Sequence, residues 1–332
     1  TKPKQAIAAL EMAVKISESH NLFGPASRAY INLAAVIDNL GEVRLARDYQ
    51  KRAIQLGNKA GGVSDEMVIQ QSIARASLWL AEFDDSQTLI DKMRQDSRQR
   101  DAYLDENTLN LLFLEGTLAR MKGDFSMSME IFTELIDRSR QVHDLERTLQ
   151  GNRALAEVIA EPHFLEDTHA DRANLDIALS MLGDAIRAGK ENGLGQDVAT
   201  QCLLSNLNAL KNNTAAAEKA LAVANASYQN RTVMQNRVLI ILAQARLEAA
   251  RNNFARALDL LNEGVDLLEK MEGRWLRARV WLEMGNLYLR RNEPEDVDQA
   301  QTLFRESLAE FKDMGVDYYP DLIIDKLREA KH

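Results

Sequence analysis

The chain is poor in residues that break helices, with 16 Gly and 5 Pro among 332 residues. That is below ordinary usage. It argues against a turn-rich all-β fold and a loop-rich enzyme, and for long helices. A single cysteine, Cys202, cannot close an internal disulfide, which fits a reducing, cytoplasmic compartment. No run approaches 18 consecutive apolar residues, so no membrane-spanning helix is expected. A basic start followed by an apolar core is absent, and with it the mark of a signal peptide. Phosphate-loop, dinucleotide-binding, nucleophile-elbow and zinc-protease motifs are all missing. Neither an enzyme nor a cofactor is expected. Positive charge is the minority, 41 Lys and Arg against 50 Asp and Glu for a net −9, which argues against bulk nucleic-acid binding. What remains is 45% apolar and 27% charged, which excludes wholesale disorder.

A chain of this length ordinarily holds about two domains, but an internal repeat overrides that expectation. A small residue is followed seven places later by another, two helical turns on and so on the same face. The pairs are Ala6/Ala13, Ala46/Ala53, Ala178/Ala185, Ala217/Ala224, Ala257/Gly264 and Ala300/Ser307, with Ser128/Leu135 a looser member. Successive first members are 40, 82, 50, 39, 40 and 43 apart. The 82 holds two periods and the 50 an insertion, so the period is close to 40. Twelve places before several of these stands another small residue: Ala34, Gly116, Ser205 and Ala245. Between the two lies a polar break such as Gly41, Gly123, Asn212-Asn213 or Asn252-Asn253, residues that tolerate the left-handed conformation ending a helix. Each unit reads as helix A, tight turn, helix B.

This spacing predicts A helices near 25–40, 64–82, 105–122, 145–160, 195–211, 232–251 and 274–291. B helices are predicted near 3–20, 42–58, 85–99, 125–142, 170–190, 214–229, 253–271 and 296–314. A last helix near 320–330 starts at Pro320, an allowed first-turn residue, and caps the final pair. The unit at 64–100 is degenerate, its best frame being Ile73, Ala76, Ser77 and Leu80, then Leu89 and Met93. Residues 161–171 are expected to form an inserted polar loop. The first B helix lacks a preceding A helix and the chain opens on Thr1, so a fragment of a longer protein is expected.

The last unit gives the sharpest match. Trp281, Met284, Gly285 and Tyr288 reproduce the spacing Trp-x2-Leu-Gly-x2-Tyr with Met for Leu, and Ala300, Phe304 and Ser307 follow on helix B. Tyr30, Leu33, Ala34 and Ile37 fit the frame, as do Leu112, Gly116, Ala119 and Phe132. The chain resembles the tetratricopeptide-repeat family over nearly its whole length, with units of about 40 rather than 34 residues. The resemblance implies an all-α superhelix of seven to eight hairpins forming one domain over 1–332. With its long tandem units it is similar to the sensor arms of bacterial signalling proteins, those of the maltose-regulon activator type and related signal-transduction ATPases. There an effector or partner binds the superhelix and another domain responds.

Charge is unevenly spread. Residues 231–291 carry +4 and the remainder −13. In tetratricopeptide folds helix A lines the concave face, so the resemblance implies a basic groove near the C-terminal end. Asn206, Arg246 and Asn286 each follow the small residue of helix A and occupy equivalent positions, with Arg279 and Arg290 on nearby faces. Asn can hold a peptide backbone and Arg can grip a carboxylate. An acidic peptide or protein segment is then the expected occupant. The opposing possibility is that these arginines pair with acids of neighbouring helices and form only a solvated face.

Other features carry less. The two histidines and several carboxylates of 161–171, among them His163 and His169, match no metal-ligand spacing, and no metal is expected. Cys202 is read as a buried small hydrophobe, and Met121, Met127 and Met129 as packing. The expected function is a protein- or peptide-binding module of a signalling or transcription-regulatory protein. A peptide-pheromone receptor, a constitutive scaffold and an enzyme built on 161–171 stay open beside it. In the expected mechanism each repeat touches only its neighbours, and small interface changes add into superhelical pitch.

Overall fold

A computed structural model describes residues 2–62, 66–99, 105–165, 172–194, 197–230 and 232–330. Among them every regular element is a helix. A single helix, α1 (Lys2–Ser19), precedes seven hairpins. These are α2 (Phe23–Asn39) with α3 (Val43–Lys59), α4 (Glu66–Trp79) with α5 (Phe83–Gln99), and α6 (Glu106–Lys122) with α7 (Phe125–Gln141). Then come α8 (Leu145–Leu165) with α9 (Arg172–Glu191), α10 (Val198–Leu210) with α11 (Thr214–Asn230), α12 (Met234–Ala250) with α13 (Phe254–Lys270), and α14 (Arg274–Arg291) with α15 (Asp296–Asp313). The last helix is α16 (Tyr318–Glu329). It begins two residues before the expected start, with Pro320 inside its first turn.

Close approach of small residues holds each hairpin. Ala34, Ala46, Ala53, Ala74, Ser86, Ala217, Ala257 and Ala300 are all at most 2% exposed. Serine hydroxyls tie the two helices directly. Ser86 donates to the Ala74 carbonyl at 3.2 Å, Ser128 to Gly116 at 2.8 Å and Ser205 to Ala217 at 2.9 Å, each pair twelve residues apart. These bonds correct the frame of the degenerate unit. Its twelve-residue pair is Ala74/Ser86, not one built on Ala76 and Ser77. The turn after α4 also lacks the usual signal, because the left-handed position falls on Ala81 (φ 58°) rather than on Gly or Asn. Where helix A meets an aromatic ring of helix B, only glycine fits. A Cβ on Gly285 would lie 2.3 Å from Phe304 Cε1.

Two expectations fail. First, residues 161–165 are not loop: α8 runs on to Leu165 with Pro162 inside it. Glu161 and Leu165 are buried by other helices, and that packing holds the last turn helical despite the proline. The rest of the expected insertion, 166–171, lies outside the described residues. Second, repeats do not touch only their neighbours. The superhelix closes on itself along two seams.

One seam joins α14 and α16 to α6–α8. Trp275 Nε1 donates to the Met121 carbonyl at 2.9 Å, and Asn286 Nδ2 to that of Leu165 at 3.2 Å. Tyr318 sits edge-on to Phe125, ring centroids 4.8 Å apart. A continuous apolar core runs through α4–α6, Leu165, α14, α15 and α16. The final helix therefore covers the last hairpin and also clasps the middle of the chain. The other seam joins α2–α4 to α12–α13 and is thinner. Trp79 Nε1 donates to the Met271 carbonyl at 2.9 Å, Arg44 pairs with Glu272 at 2.8 Å, and Gln235 reaches the Asp38 carbonyl at 3.3 Å.

Candidate ligand-binding cavity

Closure of the ring frames a cavity of about 520 Å³ that is open to solvent, lined by residues from all seven hairpins. Much of its wall is apolar: Trp79, Phe113, Leu239, Trp275 and Leu276. Into this wall the helix A positions that follow the small residue bring polar groups in register. On α4, α6, α10 and α12 these are Arg75, Thr117, Asn206 and Arg246. A side pocket of about 180 Å³ opens beside it, lined by Asn206, Arg246, Glu283, Asn286 and Arg290 among others. The five residues singled out from the sequence are therefore brought together. Asn206 and Arg246 border both spaces, Arg279 the larger, Asn286 and Arg290 the smaller.

Their chemistry differs from expectation. Arg246 forks onto Glu283 with both bonds at 2.8 Å, and its guanidinium lies over Phe164, 4.8 Å from the ring centroid. Burial opposes the Arg246 charge, but Glu283 outweighs it and the guanidinium stays protonated. Arg279 lies 2.7 Å from Glu161 Oε1, a charge contact rather than an aligned hydrogen bond, and also stacks on Phe164 and Trp275. Glu161 is fully buried, with Tyr319 donating to Oε1 at 3.4 Å. Asn286 is engaged with Leu165, and Arg290 lies over Phe254. The end of α8 thus supplies a carboxylate, an aromatic ring and a backbone carbonyl to the residues expected to receive them from a ligand. Arg246 and Arg279 are neutralised within the chain, as the solvated-face alternative anticipated in part, although here the pairs are buried.

Three other arginines border the large cavity. Arg120 is 2.8 Å from Glu157, and Arg153 is 3.8 Å from Asp197. Burial pushes the Glu157 carboxyl up, but Arg120 and Arg153 outweigh it and the net displacement is downward. The third, Arg75, is exposed and has no ion pair among the described residues. Sequence reasoning missed it because the α4 frame was misplaced. The signal was present: Arg75 follows Ala74, twelve residues before Ser86.

Three amides in the wall have unused acceptors. Asn206 is 7% exposed, and its Oδ1 is buried without a hydrogen-bond partner. Gln50 Oε1 and Gln235 Oε1 are in the same state. A buried acceptor without a donor is costly unless something supplies one. Cys202, one helical turn before Asn206, also lines the wall. Burial, with Asp197 adding to it, pushes its thiol up to about 12, so it is a weak nucleophile. No group of three or more metal-ligating side chains occurs among the described residues, and His169 lies outside them. No helix among the described residues is long and apolar enough to cross a membrane.

No protein-family model and no curated protein matches the chain. Among solved structures, a Rap protein complexed with Competence and Sporulation Factor superposes with a TM-score of 0.60 at 12% identity, over 93% of this chain and 76% of that one. A tetratricopeptide repeat protein from Parabacteroides merdae gives 0.46 at 11% identity, over 92% and 99%. The architecture is a tetratricopeptide-type α-superhelix.

Proposed function

We propose that this chain is a peptide-binding repeat module whose ligand is a short peptide held inside the closed superhelix. The observation that carries the reading is the cavity of about 520 Å³ inside the ring, with orphaned amide acceptors in its wall. Its size falls among ligand pockets of roughly 300–1,000 Å³. An intact amphipathic helix, about 10–12 Å across, or a folded partner suits a broad open groove better. Peptide N–H groups are the donors that Asn206 and Gln235 lack, and apolar side chains suit Trp79 and Trp275. The Rap protein that shares this fold is complexed with Competence and Sporulation Factor, which supports a ligand-holding superhelix of this topology.

Within this reading the superhelix is one domain of a larger signalling or transcription-regulatory protein and works in the cytoplasm as its sensor, without catalysis of its own. A ligand touching helices on both sides of a seam stabilises the closed ring, because it binds that state better than an opened one. A constitutive scaffold would show no such response.

The test is affinity selection from a random pentapeptide pool, read by mass spectrometry, with the wild type and Asn206→Leu. The wild type is expected to retain a defined subset at up to one peptide per chain, and Asn206→Leu to lose it while keeping its helical circular dichroism. Retention of nothing by the wild type, or equal retention by the variant, refutes the proposal.

A further inference from the structure

We propose that Arg75 is the anion-reading subsite of the cavity, so that the ligand is a short peptide presenting a carboxylate to α4. This rests on the peptide-binding reading above and goes beyond it by fixing where the charge is read and by which residue.

Neutralisation elsewhere leaves Arg75 as the available cation. Of the five arginines bordering the cavity, Arg120, Arg153, Arg246 and Arg279 each have a carboxylate within 3.8 Å: Glu157, Asp197, Glu283 and Glu161. A ligand carboxylate approaching any of these competes with an acid already in place. Arg75 has no such occupant among the described residues. The acid that senses it electrostatically, Asp38, makes no ion pair with it; burial pushes the Asp38 carboxyl up and Arg75 offsets this in part. Asp38 already accepts a long hydrogen bond from Gln235, at 3.5 Å.

Placement agrees with this inventory. The Ser86–Ala74 hydrogen bond fixes the register of α4 against α5. That register puts Arg75 at the helix A position that Asn206 occupies on α10, and both border the cavity. One offers five donors and no acceptor, the other an unused acceptor. Together they require a ligand that carries a carboxylate and N–H donors at once, which a peptide does. A guanidinium can take a carboxylate in a two-bond fork that an ammonium cannot reproduce.

The carboxylate can come from an Asp or Glu side chain or from the chain terminus, and the experiment separates the two. Random pentapeptide pools with free and with amidated C-termini are passed over the wild type, Arg75→Gln, Arg75→Lys and Arg187→Gln. The last is an exposed control, paired only with its own helix neighbour Asp184. Wild type and Arg187→Gln are expected to enrich Asp- and Glu-containing peptides if the side chain is read, or to lose retention on amidation if the terminus is read. Arg75→Gln should reduce that preference about tenfold, and Arg75→Lys should restore it in part. Raising the salt should weaken wild-type retention more than that of Arg75→Gln. If the wild type retains peptides without any preference for a carboxylate, or Arg75→Gln keeps the preference, the subsite is refuted while peptide binding stands. If the wild type retains nothing, peptide binding itself fails and the subsite with it.

Discussion

Replacing Glu161 with Gln should open the ring, and the size of the effect follows from what surrounds the carboxylate. Glu161 is fully buried on α8, with Arg279 of α14 at 2.7 Å, Arg120 of α6 at 3.7 Å and the Tyr319 hydroxyl of α16 at 3.4 Å. One side chain thus joins four helices that are far apart in sequence. Neutralising it leaves Arg120 with Glu157, but leaves Arg279, only 8% exposed, with no ion-pair contact and only the more distant charge of Glu157. Removing one partner of a buried pair destabilises by about 3–5 kcal/mol, a large share of the roughly 5–15 kcal/mol that holds a native domain. Urea titration followed by far-ultraviolet circular dichroism measures the loss. Small-angle scattering measures the accompanying rise in radius of gyration. The double variant Glu161→Leu/Arg279→Met removes both charges. It should recover most of the stability, because apolar groups of similar volume commonly replace a buried pair at little or no cost. A loss under about 1 kcal/mol for Glu161→Gln, or a double variant no more stable than the sum of its parts, would show that this contact does not hold the ring together.

Three other perturbations test separate parts of the structure. Gly285→Ala places a Cβ 2.3 Å from Phe304 and should destabilise by about 1–3 kcal/mol through overpacking. Gly183→Ala, which meets nothing within 4 Å, should stabilise by about 0.5–1 kcal/mol through helix propensity; melting curves that move the same way for both would contradict the packing described. Gly41→Cys with Met234→Cys should staple the thin seam, since a Cβ on Gly41 lies 3.3 Å from Met234 Cβ, close to disulfide range, although a side chain at the left-handed Gly41 (φ 89°) costs about 1–2 kcal/mol in both redox states. Oxidation should slow modification of the buried Cys202 by a small thiol reagent and reduction should restore it, whereas equal rates would mean that this seam does not control access to the cavity. Finally, the lowered pKa of Glu157 has a definite sign. Its stabilising contribution is present above the ordinary glutamate value of about 4.3 and is lost as pH falls through the lowered folded-state value. Glu157→Gln should therefore flatten the acid limb of the stability profile, and an unchanged limb counts against the Arg120 and Arg153 contacts.

Sequence alone determined the hairpins. Helix period, small-residue pairs seven and twelve apart, and Gly or Asn at the turns are local properties, because each hairpin packs on itself. The bounds of α14 were legible for that reason. The frame failed at α4, where Ala81 carries the left-handed turn without a residue that advertises it, and Arg75 was lost with the frame. Tertiary structure decided the rest. Whether a superhelix stays an open arc or closes depends on small rotations summed over seven hairpins, and no local pattern encodes that sum. Closure brought Glu161 to Arg279, Leu165 to Asn286 and Trp275 to Met121 across more than a hundred residues. It thereby neutralised arginines that looked available in the sequence. A charge is free or spent according to its neighbours in space, and those neighbours exist only once the ring has closed.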